Sequence, residues 1–311
     1  MKVIDENEIQ ALYQEADALK KLRAGFMAFS AGRVQMPPVQ QFLFKQAEGD
    51  CCIKSAWVEG SDGFCVKISS GFYRNPAQGL PSNDGLVMLF SATTGQPQVL
   101  LNDHGWLTGV RTALAGRIAA ELLLPAKVDK IAIFGTGLQA ELQLRQLLAL
   151  TACRQVTVWG RSDAALARFR DALSGLSIEL STTLNAEDAA RGASVIVTAT
   201  PSTTPLIHAE WISPGTHITA VGADSPGKQE LDGALVASAH CVLVDSVKQC
   251  RAYGELSHHQ GDATSQRVIE IGELLASPGA YKRDPEHITI ADLTGLGVQD
   301  AQIAASILAQ L

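Results

Sequence analysis

The 311-residue sequence contains no uninterrupted apolar run approaching the roughly 18 residues a membrane-crossing helix needs, which excludes a membrane-spanning class. Its start, MKVIDENEIQ, has three acids in the first eight positions, so neither a secretory leader nor an anchor is expected there. A Lys/Arg-rich run is also lacking. With 25 Lys and Arg against 32 Asp and Glu and a net charge of −7, nucleic acid and anionic membrane are excluded as main partners. The six cysteines (Cys51, Cys52, Cys65, Cys153, Cys241, Cys250) form no C-x-x-C, and no His stands at metal-ligand spacing from them. Most lie in apolar strands, where a free thiol behaves as a small hydrophobe, so no metal is expected and a reducing, cytoplasmic location is. The pair His258-His259, in the polar stretch SHHQGD, reads as solvated loop. There is no fixed-period repeat and no low-complexity segment, which excludes solenoids and disordered tails.

What the sequence does have is 46% hydrophobic and 18% charged residues, the balance of a soluble globular protein. A chain of this length suits two domains and can bury about three-quarters of its unfolded surface.

The most informative stretch is residues 130–143, KIAIFGTGLQAELQ. Ile131 to Phe134 predict a buried parallel strand, and Leu138 begins a run of helix formers. Between them stands Gly135-Thr136-Gly137-Leu138-Gln139-Ala140, a G-x-G-x-x-A in its required strand-turn-helix setting. Gly135 permits the tight turn, Gly137 has no Cβ to obstruct a pyrophosphate, and Ala140 lets helix and strand pack closely. The free amides of the helix start would then face the phosphates of a dinucleotide.

Around this stretch the pattern changes twice. Residues 6–30 carry apolar positions at helical spacing. From Met36-Pro37-Pro38 to Asp103 short β runs alternate with turn residues, which predicts an antiparallel sheet or partial barrel. A helix follows over 104–124, with Leu107, Val110, Leu114, Ile118 and Leu122 on one stripe. Arg111 lies inside that stripe, about 40° from Leu107. A buried guanidinium needs a partner, so Arg111 is either an anion-recognition residue or half of a structural salt bridge. Beyond Pro125 the order is β-α-β with crossovers that imply a parallel sheet covered on both faces. A strand over 288–291 leads to a terminal helix over 299–310, whose stripe Ile303, Ile307, Leu308 is expected to pack back on the N-terminal domain.

Ligands of open α/β sheets bind beyond the carboxyl ends of the strands. Two loops qualify, the one with Thr200 and the one reading Val221-Gly222-Ala223-Asp224-Ser225-Pro226-Gly227-Lys228. There Gly222 would permit close approach of a cofactor, and Asp224 is either a general acid or base or a turn residue. The second β strand ends VWGRS: no acid stands at its tip, and Arg161 and Ser162 offer donors to a 2′-phosphate. NADP(H) is therefore expected over NAD(H), with Asp163 two residues on as the opposing signal. Lys67, on FCVKISS opposite Phe64, Val66 and Ile68, reads by alternation alone as a solvent-facing strand lysine.

Taken together, VKISSGFYRN, DGLVMLFSATTGQPQVLLND, TGVRTALA, FGTGLQA, ITAVGADSPGKQELD and ADLTGLGVQD resemble the ornithine cyclodeaminase/μ-crystallin family along essentially the whole chain. The resemblance implies an α/β fold in which a Rossmann-type parallel-sheet domain (123–297) is inserted in an α+β dimerisation and substrate domain (1–122 with 298–311). It implies a homodimer. It further implies that Lys67 and Arg111 grip a substrate carboxylate and that Asp224 exchanges the proton. Ser82, Gln139, Thr200, Val221, Gly222 and Lys228 would contact the cofactor, and Thr294 would lie beside substrate. One position departs from the family: Gln40 stands where members usually place an arginine after Pro-Val. The implied activity is NADPH-dependent reduction of a small cyclic imino acid, Δ1-pyrroline-2-carboxylate to L-proline or Δ1-piperideine-2-carboxylate to L-pipecolate. The alternatives are ornithine cyclodeamination with NAD as a catalytic cofactor, and non-catalytic binding of NADPH or a small ligand.

Overall fold

All four residues of the strand Ile131–Phe134 are buried, as a strand with both faces covered requires. It belongs to an eight-stranded, wholly parallel sheet in the order Glu179–Thr183, Gln155–Trp159, Ile131–Phe134, Val195–Thr198, His217–Ala220, Thr289–Asp292, Cys241–Val244, Arg267–Glu270. The structure is a computed structural model, and the residues described are 1–259 and 267–311; Gln260 to Asp262 of the SHHQGD stretch fall outside them. Strand order runs one way from Ile131–Phe134 and the other way from Val195–Thr198. The loops after Phe134 and Thr198 therefore flank the switch point where such α/β sheets take ligands. Apolar residues line both faces: Ile133, Leu144, Val158, Leu166 and Val197 on one, Phe134, Ile196, Ile218, Leu235 and Val242 on the other.

The chain divides into two units, Met1–Arg111 with Leu296–Leu311, and Thr112–Gly295. The divisions fall at 111/112 and 295/296, not at 122/123 and 297/298, and the first lies inside the helix Trp106–Leu123. Side-chain bonding explains this. Arg111 donates to Gln299 and Asp300 of the first unit, whereas the Thr112 carbonyl accepts from Gln143 of the second.

In the first unit, strands pair in the order Lys2–Asp5, Pro97–Asn102, Asn83–Ser91, Gly63–Phe72, Gly49–Val58, Val34–Gln35, with Gln40–Phe44 also on Gly49–Val58. All pairings are antiparallel except that of Lys2–Asp5 with Pro97–Asn102. The terminal helix Gly297–Leu308 packs on the helix Glu15–Ser30 and on the sheet. It buries Ile303 and Ile307, but Leu308 is exposed, and the stripe runs through Asp300 instead.

The N-terminal helical pattern is two helices, Glu6–Leu12 and Glu15–Ser30. Tyr13 is extended between them and sets its ring edge-on to Trp106, at 5.3 Å between centroids. Neither glycine nor proline marks that break, so helical periodicity runs through it. No helix among the described residues is long and apolar enough to cross a membrane.

Candidate functional site

In the second unit the glycine turn has the geometry its residues dictate. Gly135 has φ +123°, and a Cβ there would sit 2.7 Å from the Ala199 carbonyl oxygen. Gly137 caps the helix Leu138–Leu148 with no side-chain hydrogen bond, and a Cβ on it would meet nothing within 4 Å. Leu138 is exposed, Gln139 half-buried and Ala140 fully buried. A helix start with no side-chain cap and open space before it fits a phosphate-bearing dinucleotide.

The neighbouring strand ends at Trp159, and Gly160 is pinned by Thr136 and Leu166, each 2.9 Å from where its Cβ would lie. Arg161 and Ser162 are exposed. The Ser162 hydroxyl accepts from the Ala165 amide at 3.3 Å and caps the helix Asp163–Ala172. Asp163 is the first residue of that helix, beyond the strand tip.

Thr200 and Gly222 lie in the loops after Val195–Thr198 and His217–Ala220, and one buried carboxylate joins them. Glu230 Oε1 accepts from the Thr200 amide and hydroxyl, each at 2.7 Å, and Oε2 accepts from the Gly222 amide at 2.9 Å. A side chain on Gly222 would collide with that carboxylate and with the Thr200 carbonyl. The side of Gly222 on which a Cβ would stand is thus occupied by Glu230. Burial raises the Glu230 carboxyl to about 7, against the hydrogen bonds that favour its charged form. Val221 is buried beside them.

Further along the same loop Asp224 is exposed, and its Oδ1 accepts from Lys228 Nζ at 2.6 Å. The expected proton carrier and the expected cofactor lysine therefore form one ion pair. Thr294 is buried, its amide and hydroxyl donating to Asp245 at 3.0 and 2.9 Å, while its hydroxyl accepts from Gln249 Nε2 at 2.9 Å.

In the first unit Lys67 is not solvent-facing. It is 2% exposed, on the face shared with Cys65, while Ile68 of the opposite face is exposed. Alternation fails here because the inward side of the strand carries an ionic cluster. Lys67 Nζ and Arg111 Nε both donate to Asp300 Oδ1 at 3.0 Å, and Arg111 Nη1 donates to Gln299 Oε1 at 2.9 Å. Burial lowers the Lys67 ammonium to about 8 although Asp300 opposes it. Burial would raise Asp300, but Lys67, Arg111 and Lys54 together hold it below the usual carboxylate range. Two buried cations thus share one carboxylate. Gln299 Nε2 is a further buried donor with no partner among the described residues. Such a surplus of positive charge and donors suits the carboxylate of a small ligand.

Ser82 is half-buried in this unit, its carbonyl accepting from the Phe72 amide at 2.7 Å. Gln40 is exposed on the strand Gln40–Phe44 and is not part of the Lys67–Arg111–Asp300 cluster.

Three residues of these sites escaped sequence reasoning: Glu230, Gln299 and Asp300. Asp300 was accessible, because it stands three positions before Ile303 on the buried stripe of the terminal helix. Glu230 carried no such signal, since the strand Gln229–Leu231 has only three residues.

All 311 residues match the model of the ornithine cyclodeaminase/mu-crystallin family. A Sinorhizobium fredii protein named an uncharacterized cyclodeaminase is 39% identical, over 98% of this chain and 94% of its own length. A Δ1-pyrroline-2-carboxylate reductase of Bacillus cereus is 27% identical, over 98% and 94%. Among solved structures, an archaeal alanine dehydrogenase dimer with bound NAD superposes with a TM-score of 0.89 at 31% identity, covering 100% of this chain and 95% of that one.

Proposed function

The chain belongs to the ornithine cyclodeaminase/mu-crystallin family, and we propose that it is a nicotinamide-dependent oxidoreductase that reduces a small cyclic imino acid. Δ1-Pyrroline-2-carboxylate, giving L-proline, is the foremost substrate, with Δ1-piperideine-2-carboxylate, giving L-pipecolate, beside it. The observation that carries this reading is the pair of buried cations, Lys67 and Arg111, on the single carboxylate of Asp300. A substrate carboxylate would complete that charge balance, and fixing it converts binding energy into orientation of the C=N carbon.

The cofactor supplies hydride, and the glycine turn at Gly135 and Gly137 would hold its pyrophosphate. Thr200, Val221 and Gly222 would line its place, and the exposed Arg161 would meet a 2′-phosphate, which favours NADPH over NADH. Asp224, paired with Lys228, would hold or deliver the proton at the imine nitrogen. Exposed Phe42, Leu43 and Phe44 on the strand Gln40–Phe44 support burial of this strand in a homodimer.

A second reading is ornithine cyclodeamination; the 39% identical relative is named an uncharacterized cyclodeaminase, with no substrate in its name. The exposed Gln40, in place of a third cation, speaks against it: ornithine must be held by its carboxylate while its distal amine swings to the imine carbon. Incubating the protein with NADPH and, separately, Δ1-pyrroline-2-carboxylate, Δ1-piperideine-2-carboxylate and pyruvate with ammonia tests the proposal. Oxidation of NADPH is expected with the cyclic imines. Activity confined to pyruvate and ammonia would replace this reading with alanine dehydrogenation.

A further inference from the structure

Four carboxyl side chains are buried near the carboxyl ends of the parallel strands in the second unit: Glu230, Glu255, Asp245 and Asp292. Each accepts from the backbone of a neighbouring segment. Glu255 takes the amides of Glu230 and Leu231 at 2.8 and 3.0 Å, and Asp292 takes that of Leu256 at 2.9 Å. Asp245 takes those of Thr294 and Gly295 at 3.0 and 2.6 Å. Glu230 differs from the other three because its acceptors reach two loops at once. It bonds Thr200 after one strand and Gly222 after another.

We propose that Glu230 is a positioning residue that clamps the Thr200 and Gly222 loops into a single cofactor-binding edge. This rests on the proposed use of a nicotinamide cofactor, and it adds a residue that touches neither cofactor nor substrate. The clamp needs all three acceptor contacts, hence both carboxylate oxygens free of a proton. A protonated carboxyl turns one acceptor oxygen into a hydroxyl and frees one loop. A glutamine at this position does the same permanently, because its amide nitrogen cannot accept from an N–H.

The charged groups around Glu230 reinforce this dependence. Glu255 stands against its backbone, with Asp292 behind Glu255, and the His258 ring bonds the Lys228 carbonyl two residues before it. No Lys or Arg side chain bonds Glu230 among the described residues. Burial lifts the Glu230 carboxyl to about 7, so its proton is exchanged near neutral pH.

The test is fluorescence titration of NADPH from pH 5.5 to 8.5 on the wild type, Glu230→Gln and Glu230→Asp. Amide hydrogen exchange of the Thr200 and Gly222 loops is followed on the same proteins without cofactor. Wild-type affinity is expected to fall as pH drops below about 7. Glu230→Gln is expected to bind NADPH roughly 10-fold more weakly at pH 8, the scale of one charge-assisted hydrogen bond. Its pH profile should lose the change near pH 7 and keep only that of the NADPH 2′-phosphate near about pH 6, and its loop amides should exchange faster. Glu230→Asp keeps the charge but is one methylene shorter; it should retain the wild-type pH dependence at lower affinity.

A Glu230→Gln protein with wild-type affinity, pH profile and loop protection would overturn the clamp while leaving the proposed function standing. If Glu230→Gln cannot be obtained folded, a wild-type affinity that does not change across this pH range overturns it alone. A wild-type protein that binds neither NADPH nor NADH would overturn both.

Discussion

The Gly222 amide donates to Glu230 Oε2 over 2.9 Å, and any side chain on residue 222 would have to occupy the space of that carboxylate. Gly222→Ala should therefore push Glu230 off the Thr200 loop. Overpacking of this kind costs about 1–3 kcal/mol. The melting temperature should fall by several degrees, on the order of 2–4 °C per kcal/mol for a unit of this size. NADPH affinity should fall with it. Calorimetry and cofactor titration check this, and an unchanged pair of values would show the loop relaxing at no cost.

Asp300 and Lys67 are unequal partners. Asp300→Asn leaves Lys67 and Arg111 buried with their shared counter-charge removed, and breaking a buried pair in this way costs about 3–5 kcal/mol. Lys67→Met removes one cation from a site that still holds Arg111 against Asp300. Denaturant unfolding should find Asp300→Asn the less stable of the two. Lys67→Met should instead raise KM for the imino acid and lower kcat/KM. Equal destabilisation would mean that Lys67 serves the fold alone.

Arg161 tests the cofactor. If it meets a 2′-phosphate, Arg161→Ala should raise KM for NADPH roughly 10- to 150-fold, the equivalent of about 1.5–3 kcal/mol, while hardly moving that for NADH. The same rise with both cofactors would assign Arg161 to the shared part of the molecule.

Glu230 and Asp292 give stability a definite pH slope. Burial raises each to about 7 in the folded protein, from 4.5 and 3.8. Between those values the folded state holds protons that the unfolded state has released. The stability these groups allow is thus fully present below about pH 4 and is lost as pH rises to about 7. Glu230→Gln should flatten the fall in melting temperature between pH 5 and 7.5. A variant that keeps the whole wild-type slope would place the titration elsewhere.

The parallel sheet and its glycine turn were legible because Ile131–Phe134 and Cys241–Val244 are continuous apolar runs, Val195–Thr198 nearly so, and the turn residues have only one comfortable use. The edge strands Glu179–Thr183 and Arg267–Glu270 were not legible, since they are half solvated and carry polar residues. Lys67 was assigned to the wrong face for a related reason. Its partner Asp300 lies 233 residues away in sequence, and local alternation carries no trace of it. On the opposite face Phe64 stacks on Phe90 at 4.9 Å, which is where the apolar half of the alternation goes. Arg111 was legible as a residue needing a partner, but the sequence did not say that Asp300 and Gln299 provide it.

In the proposed reaction hydride is consumed from solution and not returned. The direct measurement follows nicotinamide absorbance, proline and ammonia together in two reactions, one with NADPH and Δ1-pyrroline-2-carboxylate, the other with NAD+ and ornithine. One NADPH oxidised per proline formed in the first, with no ammonia released in the second, is the predicted result. Proline and ammonia released from ornithine at comparable kcat/KM, with no net change in nicotinamide absorbance, would contradict it.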